Sequence, residues 1–152
     1  MSVPSPDFED LEFDVISEDW NEYELTGHTK ARGKIVVTRF VRSKNHPDPN
    51  AINMASQNMF VITAPPEQRG VPSPLNPQEI KTPDGTPIDI LSSNEKWNKY
   101  RLKKSGGIVK VKMVVHDAFR IPGRFDNDGM PAYIFTSGPL VVPEKTKPEF
   151  SV

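Results

Sequence analysis

The residues that could do chemistry are few, and their spacing is unhelpful to catalysis. The chain has three histidines and no cysteine. His28 falls in a turn segment, His46 in a polar loop and His116 on the outward side of a strand. Each stands alone. No glycine-rich phosphate loop, His-Glu-x-x-His pair or Gly-x-Ser-x-Gly elbow is present, and no pair of carboxylates is spaced for acid–base work. Thiolate nucleophiles, thiolate metal sites and disulfides are excluded outright. The remaining metal candidate is Arg124-Phe125-Asp126-Asn127-Asp128-Gly129. Asp126 and Asp128 could open a calcium loop, but the glutamate that completes an EF-hand is replaced by Val141 and Val142. A loop of Asp and Asn closed by Gly is the simpler reading. The expectation is a protein without catalysis, metal or cofactor.

What the chain does carry is one aromatic stretch, used twice. Trp20-Asn21-Glu22-Tyr23-Glu24-Leu25 returns as Trp97-Asn98-Lys99-Tyr100-Arg101-Leu102. As a strand, Asn, Tyr and Leu point to one side; Trp and the charges point to the other. Three roles fit the paired tryptophans. They close the end of a barrel, or Trp20 and Trp97 anchor a partner. The third is base stacking beside Lys99, Arg101, Lys103, Lys104, Lys110 and Lys112. The charges beside them differ in sign: Glu22 and Glu24 in one copy, Lys99 and Arg101 in the other. They form either two solvated faces or strands that meet, within the chain or between chains.

The elements that position these residues repeat as well. Phe13 to Ser17 matches Ile88 to Ser92, Val37 to Arg42 matches Val115 to Arg120, and Ala51 to Val61 loosely matches Ala132 to Val142. The offset grows in small steps that fall between apolar runs. That is how a duplication drifts, with loops lengthening and elements keeping their spacing. We therefore expect one domain, residues 1–152, built of two repeats, 11–65 and 87–143. An acidic arm (1–10) precedes them, a proline-rich connector (66–86) joins them and an extended tail (144–152) follows. By composition the arm and the tail cannot order themselves, so they should lie on a sheet surface or on another chain. Repeats of ~55 residues are too small to be stable separately, so they should share a core.

Within each repeat the third strand is the clearest. Ile35, Val37 and Val41 alternate with Lys34, Val36, Thr38, Phe40 and Arg42. Val109, Val111, Met113, Val115 and Phe119 alternate with Lys110, Lys112, Val114, His116 and Arg120. The predicted core holds Tyr23, Leu25, Ile35, Val37, Tyr100, Leu102, Met113 and Val115. A fourth strand should run over 52–63 and 132–142, with a bulge at Gln57-Asn58 and Gly138-Pro139. The same alternation puts Arg39 and Asp117, equivalent and opposite in charge, on the core side. They are candidates for a buried ion pair. The fold class is all-β: two antiparallel meanders closing into a small pseudo-twofold barrel or a two-sheet sandwich.

With 19 basic and 20 acidic side chains the net charge is -1, which argues against a dedicated nucleic-acid binder. The charge is unevenly spread: nine acids and no Lys or Arg over 1–25, eight basic residues and one acid over 96–120. No signal peptide pattern and no long apolar run is present, so membrane insertion is not expected and a cytoplasmic protein is. The expected function is a non-catalytic structural or interaction protein, a subunit of a larger assembly with a protein partner or further copies of itself. The alternative is a small-molecule or carbohydrate-binding barrel, with Tyr23, Tyr100 and both tryptophans lining its mouth. Third comes a single-stranded nucleic-acid-binding module.

Overall fold

The structure, a computed structural model, describes residues 8–44, 51–73 and 85–144. Expectations for residues 1–7, for His46, for the connector from 74 to 84 and for the tail beyond Glu144 lie outside the described residues. Among the described residues there are ten strands, one 3-10 turn at Pro66–Gln68 and no α-helix. The first five are β1 (Phe8–Leu11), β2 (Phe13–Ser17), β3 (Asn21–Leu25), β4 (Thr29–Ser43) and β5 (Ile52–Thr63). The second five are β6 (Thr86–Ile88), β7 (Ile90–Asn94), β8 (Asn98–Leu102), β9 (Ile108–Phe125) and β10 (Pro131–Pro143). Alternating Val, Ile and charged residues make β4 and β9 strands, since a half-buried pleated face requires that period.

Two antiparallel five-stranded sheets result. In the first, β4 is central: β5 runs along one edge, and β3 and β1 share the other, with β7 beyond β3. In the second, β9 is central, with β10 on one edge and β8 and β6 on the other, and β2 beyond β8. The chain turns a corner at Glu12, so β1 belongs to the first sheet and β2 to the second. It turns another at Asp89, taking β6 and β7 in the opposite direction. Each half of the chain thus lends a strand to the other's sheet. Phe8 to Asp10, expected as part of a loose arm, belong to β1 and pair with Val41 to Ser43.

A closed barrel is not formed. The strands form two separate sheets, and on the far side β5 and β10 face each other through side chains. Asn58 Nδ2 donates to Ser137 Oγ at 3.2 Å, and the rings of Phe60 and Phe135 stack at 4.4 Å.

The core lies between the sheets. Tyr23, Leu25, Ile35, Val37, Tyr100 and Met113 are buried as expected; Leu102 and Val115 are partly buried against them. Phe13, Phe40 and Tyr100 meet edge to face, with ring centroids 5.0–5.7 Å apart. Such pairs contribute roughly 0.5–1.5 kcal/mol each beyond their buried area. Gly33 faces the same core. A Cβ there would lie 2.8 Å from both Met113 Cε and the Phe60 ring, so glycine lets these two side chains close over β4.

One expectation about this core is corrected. The inward series in β4 does not run on to Arg39 and Val41. Val37 pairs with Ser56 and Arg39 with Ala55, so Thr38 is an extra residue. In β9 Val115 pairs with Ser137 and Asp117 with Thr136, leaving His116 extra in the same way. A bulge resets the alternation by one residue. Phe40 and Ala118 therefore turn inward, while Arg39 and Asp117 turn out. The bulge sits in the third strand of each half rather than in the fourth, opposite Ser56 and Ser137. Thr38 and His116 carry no glycine, proline or other turn chemistry that would mark them in the sequence.

Candidate functional site

Each tryptophan is placed by the asparagine that follows it. Asn21 is buried and linked to both sheets. Its Nδ2 donates to the Met113 carbonyl at 3.1 Å and to the Tyr23 hydroxyl at 3.0 Å, and its Oδ1 accepts from the Lys96 amide at 2.8 Å. Asn98 repeats the set: Nδ2 to the Ile35 carbonyl at 3.2 Å and to Tyr100 Oη at 3.4 Å, and Oδ1 from the Asp19 amide at 2.9 Å. Each tyrosine then donates to a glutamate from the other half. Tyr23 reaches Glu95 at 2.9 Å and Tyr100 reaches Glu18 at 2.7 Å. Burial, reinforced by these carboxylates, raises both phenols well above their ordinary value. The two tyrosines are therefore buried structural cross-links inside the molecule.

With Asn, Tyr and Leu turned inward, Trp20 and Trp97 face out, one on each sheet. Their rings lie against the cations of the neighbouring long strand. Arg32 Cζ is 4.9 Å and Lys34 Nζ 5.7 Å from the Trp20 ring centroid. Lys110 and Lys112 Nζ are 5.1 and 4.8 Å from that of Trp97. Such contacts contribute roughly 0.5–1 kcal/mol at exposed sites, and they also fix where the charges stand.

The next strand completes the surface. Lys34 is opposite Met59 and Arg32 opposite Val61; Lys112 is opposite Leu140 and Lys110 opposite Val142. All four aliphatic side chains are exposed, at 49, 38, 47 and 42%. Each sheet therefore presents a tryptophan, two cations held on it and two bare aliphatic side chains in register beside them. Sequence reading had named Trp20 and Trp97 but missed Arg32, Lys34, Met59, Val61, Leu140 and Val142 as parts of this surface. The signal was available: strand alternation puts these six outward, and the drifting offset maps each member of one set onto the other.

The flanking charges differ. On the first sheet Glu22 is opposite Arg32 and Glu24 opposite Lys30. On the second, Lys99 is opposite Lys110, while Arg101 is opposite Ile108 on one side and Asp14 on the other. Glu22 and Glu24 do not meet Lys99 and Arg101 within the chain, because β3 and β8 lie in different sheets.

The other candidates separate. Arg39 and Asp117 do not form the expected pair. Arg39 Nε is 3.7 Å from Asp10 Oδ1, and Asp117 accepts from Thr136 Oγ1 at 3.1 Å. The Asp126 carboxylate closes its own turn, accepting from the amides of Asp128 at 2.8 Å and Met130 at 3.0 Å. His28 takes a left-handed backbone conformation in the β3–β4 turn, with φ 63.

At one end of the sandwich a groove of about 710 Å³ runs between the sheets, with Leu11, Ile52 and Leu102 among its apolar residues. Its rim is ionic. Glu9 takes Arg42 at 2.6 Å and Lys104 at 3.4 Å. The Arg42 guanidinium holds the Glu9 carboxyl below its usual range. Comparison with family models, with curated proteins and with solved structures finds no match to this chain. No helix of the described residues is long and apolar enough to cross a membrane.

Proposed function

We propose that this chain is a non-catalytic interaction protein, a two-sided connector that serves as a subunit or accessory protein of a larger assembly. One observation carries the reading. The same group of side chains, a tryptophan with two cations and two exposed aliphatics, occurs on the outer face of both sheets. Isolated exposed apolar residues need no explanation, but a matched set beside a large aromatic is the composition of a protein interface. Residues 11–65 and 87–143 are read as two copies of one unit about a pseudo-twofold axis. The exchanged strands, the equivalent bulges and the mirrored Asn–Tyr–Glu linkages support that duplication. A duplicated unit with its working face outward binds two things at once.

The test is native mass. Protein isolated from its source should travel in a particle heavier than the 17.1 kDa chain. Met59→Lys with Leu140→Lys should release it as a monomer while leaving the thermal midpoint in place, because both positions are on the outer faces. A wild-type chain that is monomeric at its native concentration overturns the proposal.

A second reading, binding of a small amphipathic molecule, has the groove between Leu11, Ile52 and Leu102 in its favour. Its volume lies in the range of ligand sites. Gentle native mass spectrometry should then find a small molecule that Leu102→Lys expels.

A further inference from the structure

The two outer faces share their aromatic and aliphatic parts but not their charge balance, and that difference points to the kind of partner. On the first sheet the cross-strand neighbours neutralise each other, Glu22 with Arg32 and Glu24 with Lys30. On the second sheet the position equivalent to Glu22–Arg32 is Lys99 opposite Lys110. Like charges directly opposite each other weaken a sheet, so this face carries a cost within the monomer. Asp14 lies opposite Arg101 and is 3.6 Å from Lys103, on the far side of β8 from β9. Lys110 and Lys112 are instead gathered on the Trp97 ring. The result is a staggered set of four cations, Lys110 and Lys112 on β9 and Lys99 and Arg101 on β8, of which only Lys99 and Lys110 are directly opposite, bordered on β10 by the row of Leu140 and Val142.

We propose that this face takes an acidic, extended polypeptide segment in which carboxylates alternate with apolar side chains. The proposal rests on the interaction-protein reading above and names the partner of one of its two faces. The geometry is simple. An extended segment lying flat over the junction of β9 and β10 sends alternate side chains to opposite sides, each series repeating every ~6.6–6.8 Å. Lys110 and Lys112 are two residues apart on a strand and have the same repeat. Acids would then stand over the β9 cations while the apolar series covers Leu140 and Val142. One acid–cation contact is already made within the chain: on the other edge of β8, Asp14 lies opposite Arg101. A single-stranded nucleic acid fits less well. Its affinity draws on free aromatic faces, and here Trp97 is engaged by two lysines while the bare surface beside it is aliphatic.

The experiment uses the full chain and three probes of equal length: a peptide alternating Glu and Val, an all-Glu peptide and an oligothymidylate. Titration should find the alternating peptide binding best, and weakening several-fold from 50 to 200 mM salt as a surface charge contact must. Lys110→Glu with Lys112→Glu should reduce its affinity at least tenfold. Leu140→Ser with Val142→Ser should reduce it several-fold while leaving the weaker all-Glu peptide unaffected. Unchanged thermal midpoints would show that both variants are folded. The control Arg32→Glu with Lys34→Glu, on the other sheet, should leave peptide binding within twofold. Tighter binding of the oligothymidylate, or no binding of any probe, or peptide binding that survives both variants of the second sheet, overturns the inference. Should none bind while Met59→Lys with Leu140→Lys still dissociates the native particle, this inference fails and the interaction reading stands.

Discussion

The two halves of the molecule agree inside and differ outside. Asn21 and Asn98, Tyr23 and Tyr100, Glu95 and Glu18 make matching bonds, asparagine to a carbonyl of the other half and tyrosine to a glutamate of the other half. On the outer faces the equivalent of Glu22 is Lys99 and that of Glu24 is Arg101. The contrast follows from what each position can tolerate. A buried amide with three partners cannot change without leaving those partners unsatisfied, and each costs roughly 1–3 kcal/mol. An exposed charge can be replaced at a cost of tenths of a kcal/mol. Inside, the halves are bound together, because each half's tyrosine depends on the other half's glutamate. Outside, each face is free to suit its own partner.

The largest effect expected from breaking this agreement is at the asparagines. Asn21→Ala leaves the Met113 carbonyl and the Lys96 amide without their partner, and Asn98→Ala does the same to the Ile35 carbonyl and the Asp19 amide. Each should cost about 3 kcal/mol in urea unfolding, by the penalty for orphaned buried groups. The two costs should agree within about 0.5 kcal/mol, the usual reproducibility of independent sites. A difference of several-fold would mean that the halves are not equivalent in energy.

The tyrosines sharpen the comparison, because here the halves differ in one bond. Glu95 accepts from both the Tyr23 hydroxyl and the Val115 amide, the latter at 2.7 Å. In the other half, among the described residues, Glu18 accepts from the Tyr100 hydroxyl alone. Tyr23→Phe thus leaves Glu95 with a remaining donor. Tyr100→Phe removes the donor to Glu18 with no second donor in its place. Tyr100→Phe should cost roughly 2 kcal/mol, in line with a hydrogen bond to a charged group, and Tyr23→Phe about half of that. Equal losses by thermal or urea unfolding would remove the distinction.

The sequence made much of this legible, and the reason is periodicity. Two-residue alternation identified strands over 34–42 and 109–120, which lie within the longer strands Thr29–Ser43 and Ile108–Phe125, the latter running on through 122–125 where a loop was expected, and it placed Tyr23, Leu25, Ile35 and Tyr100 inside. The repeated hexapeptide identified the tryptophans. Three things were not legible. The bulges at Thr38 and His116 use residues with ordinary strand propensity, so Phe40 was read as outward. The exchange of β2 and β7 between sheets depends on which strands pair at long range, and local sequence does not encode that. Met59, Val61, Leu140 and Val142 looked like ordinary strand residues until the register set them beside Arg32, Lys34, Lys110 and Lys112.

The two corners offer a smaller contrast. At the first, the Lys103 amide bonds the Glu12 carbonyl at 2.9 Å; at the second, the Thr26 amide bonds the Asp89 carbonyl at 3.2 Å. The first corner alone adds the Glu9 bonds to Arg42 and Lys104. Glu9 has a folded pKa below its ordinary 4.5. Its contribution is therefore complete above 4.5 and is lost as the pH falls through the lower, folded value. Amide exchange at Lys103 should accelerate more than exchange at Thr26 as the pH drops below 4.5, after correction for intrinsic rates. Glu9→Gln should abolish that difference; a difference that persists would assign it to another group.

The smallest effect is expected at Arg39 and Asp117, where inside and outside were hardest to tell apart. Had the alternation continued unbroken, the two would be buried between the sheets, and removing either would cost roughly 3–5 kcal/mol. The bulges at Thr38 and His116 turn both outward. Arg39 then reaches Asp10 at 3.7 Å, with both side chains more than half exposed, at 58 and 59%. A pair of that kind contributes about 0.2–1 kcal/mol, and its loss on Arg39→Ala should fall at the low end, since the distance is long and the contact is open to salt. Asp117→Ala should be smaller still, because the hydroxyl of Thr136 can turn to water. The double change Arg39→Met with Asp117→Leu should equal the sum of its parts within the error of urea unfolding, as it must for side chains that do not touch. A coupling above about 1 kcal/mol would place the two charges together. It would also mean that neither bulge is where the strand pairing puts it.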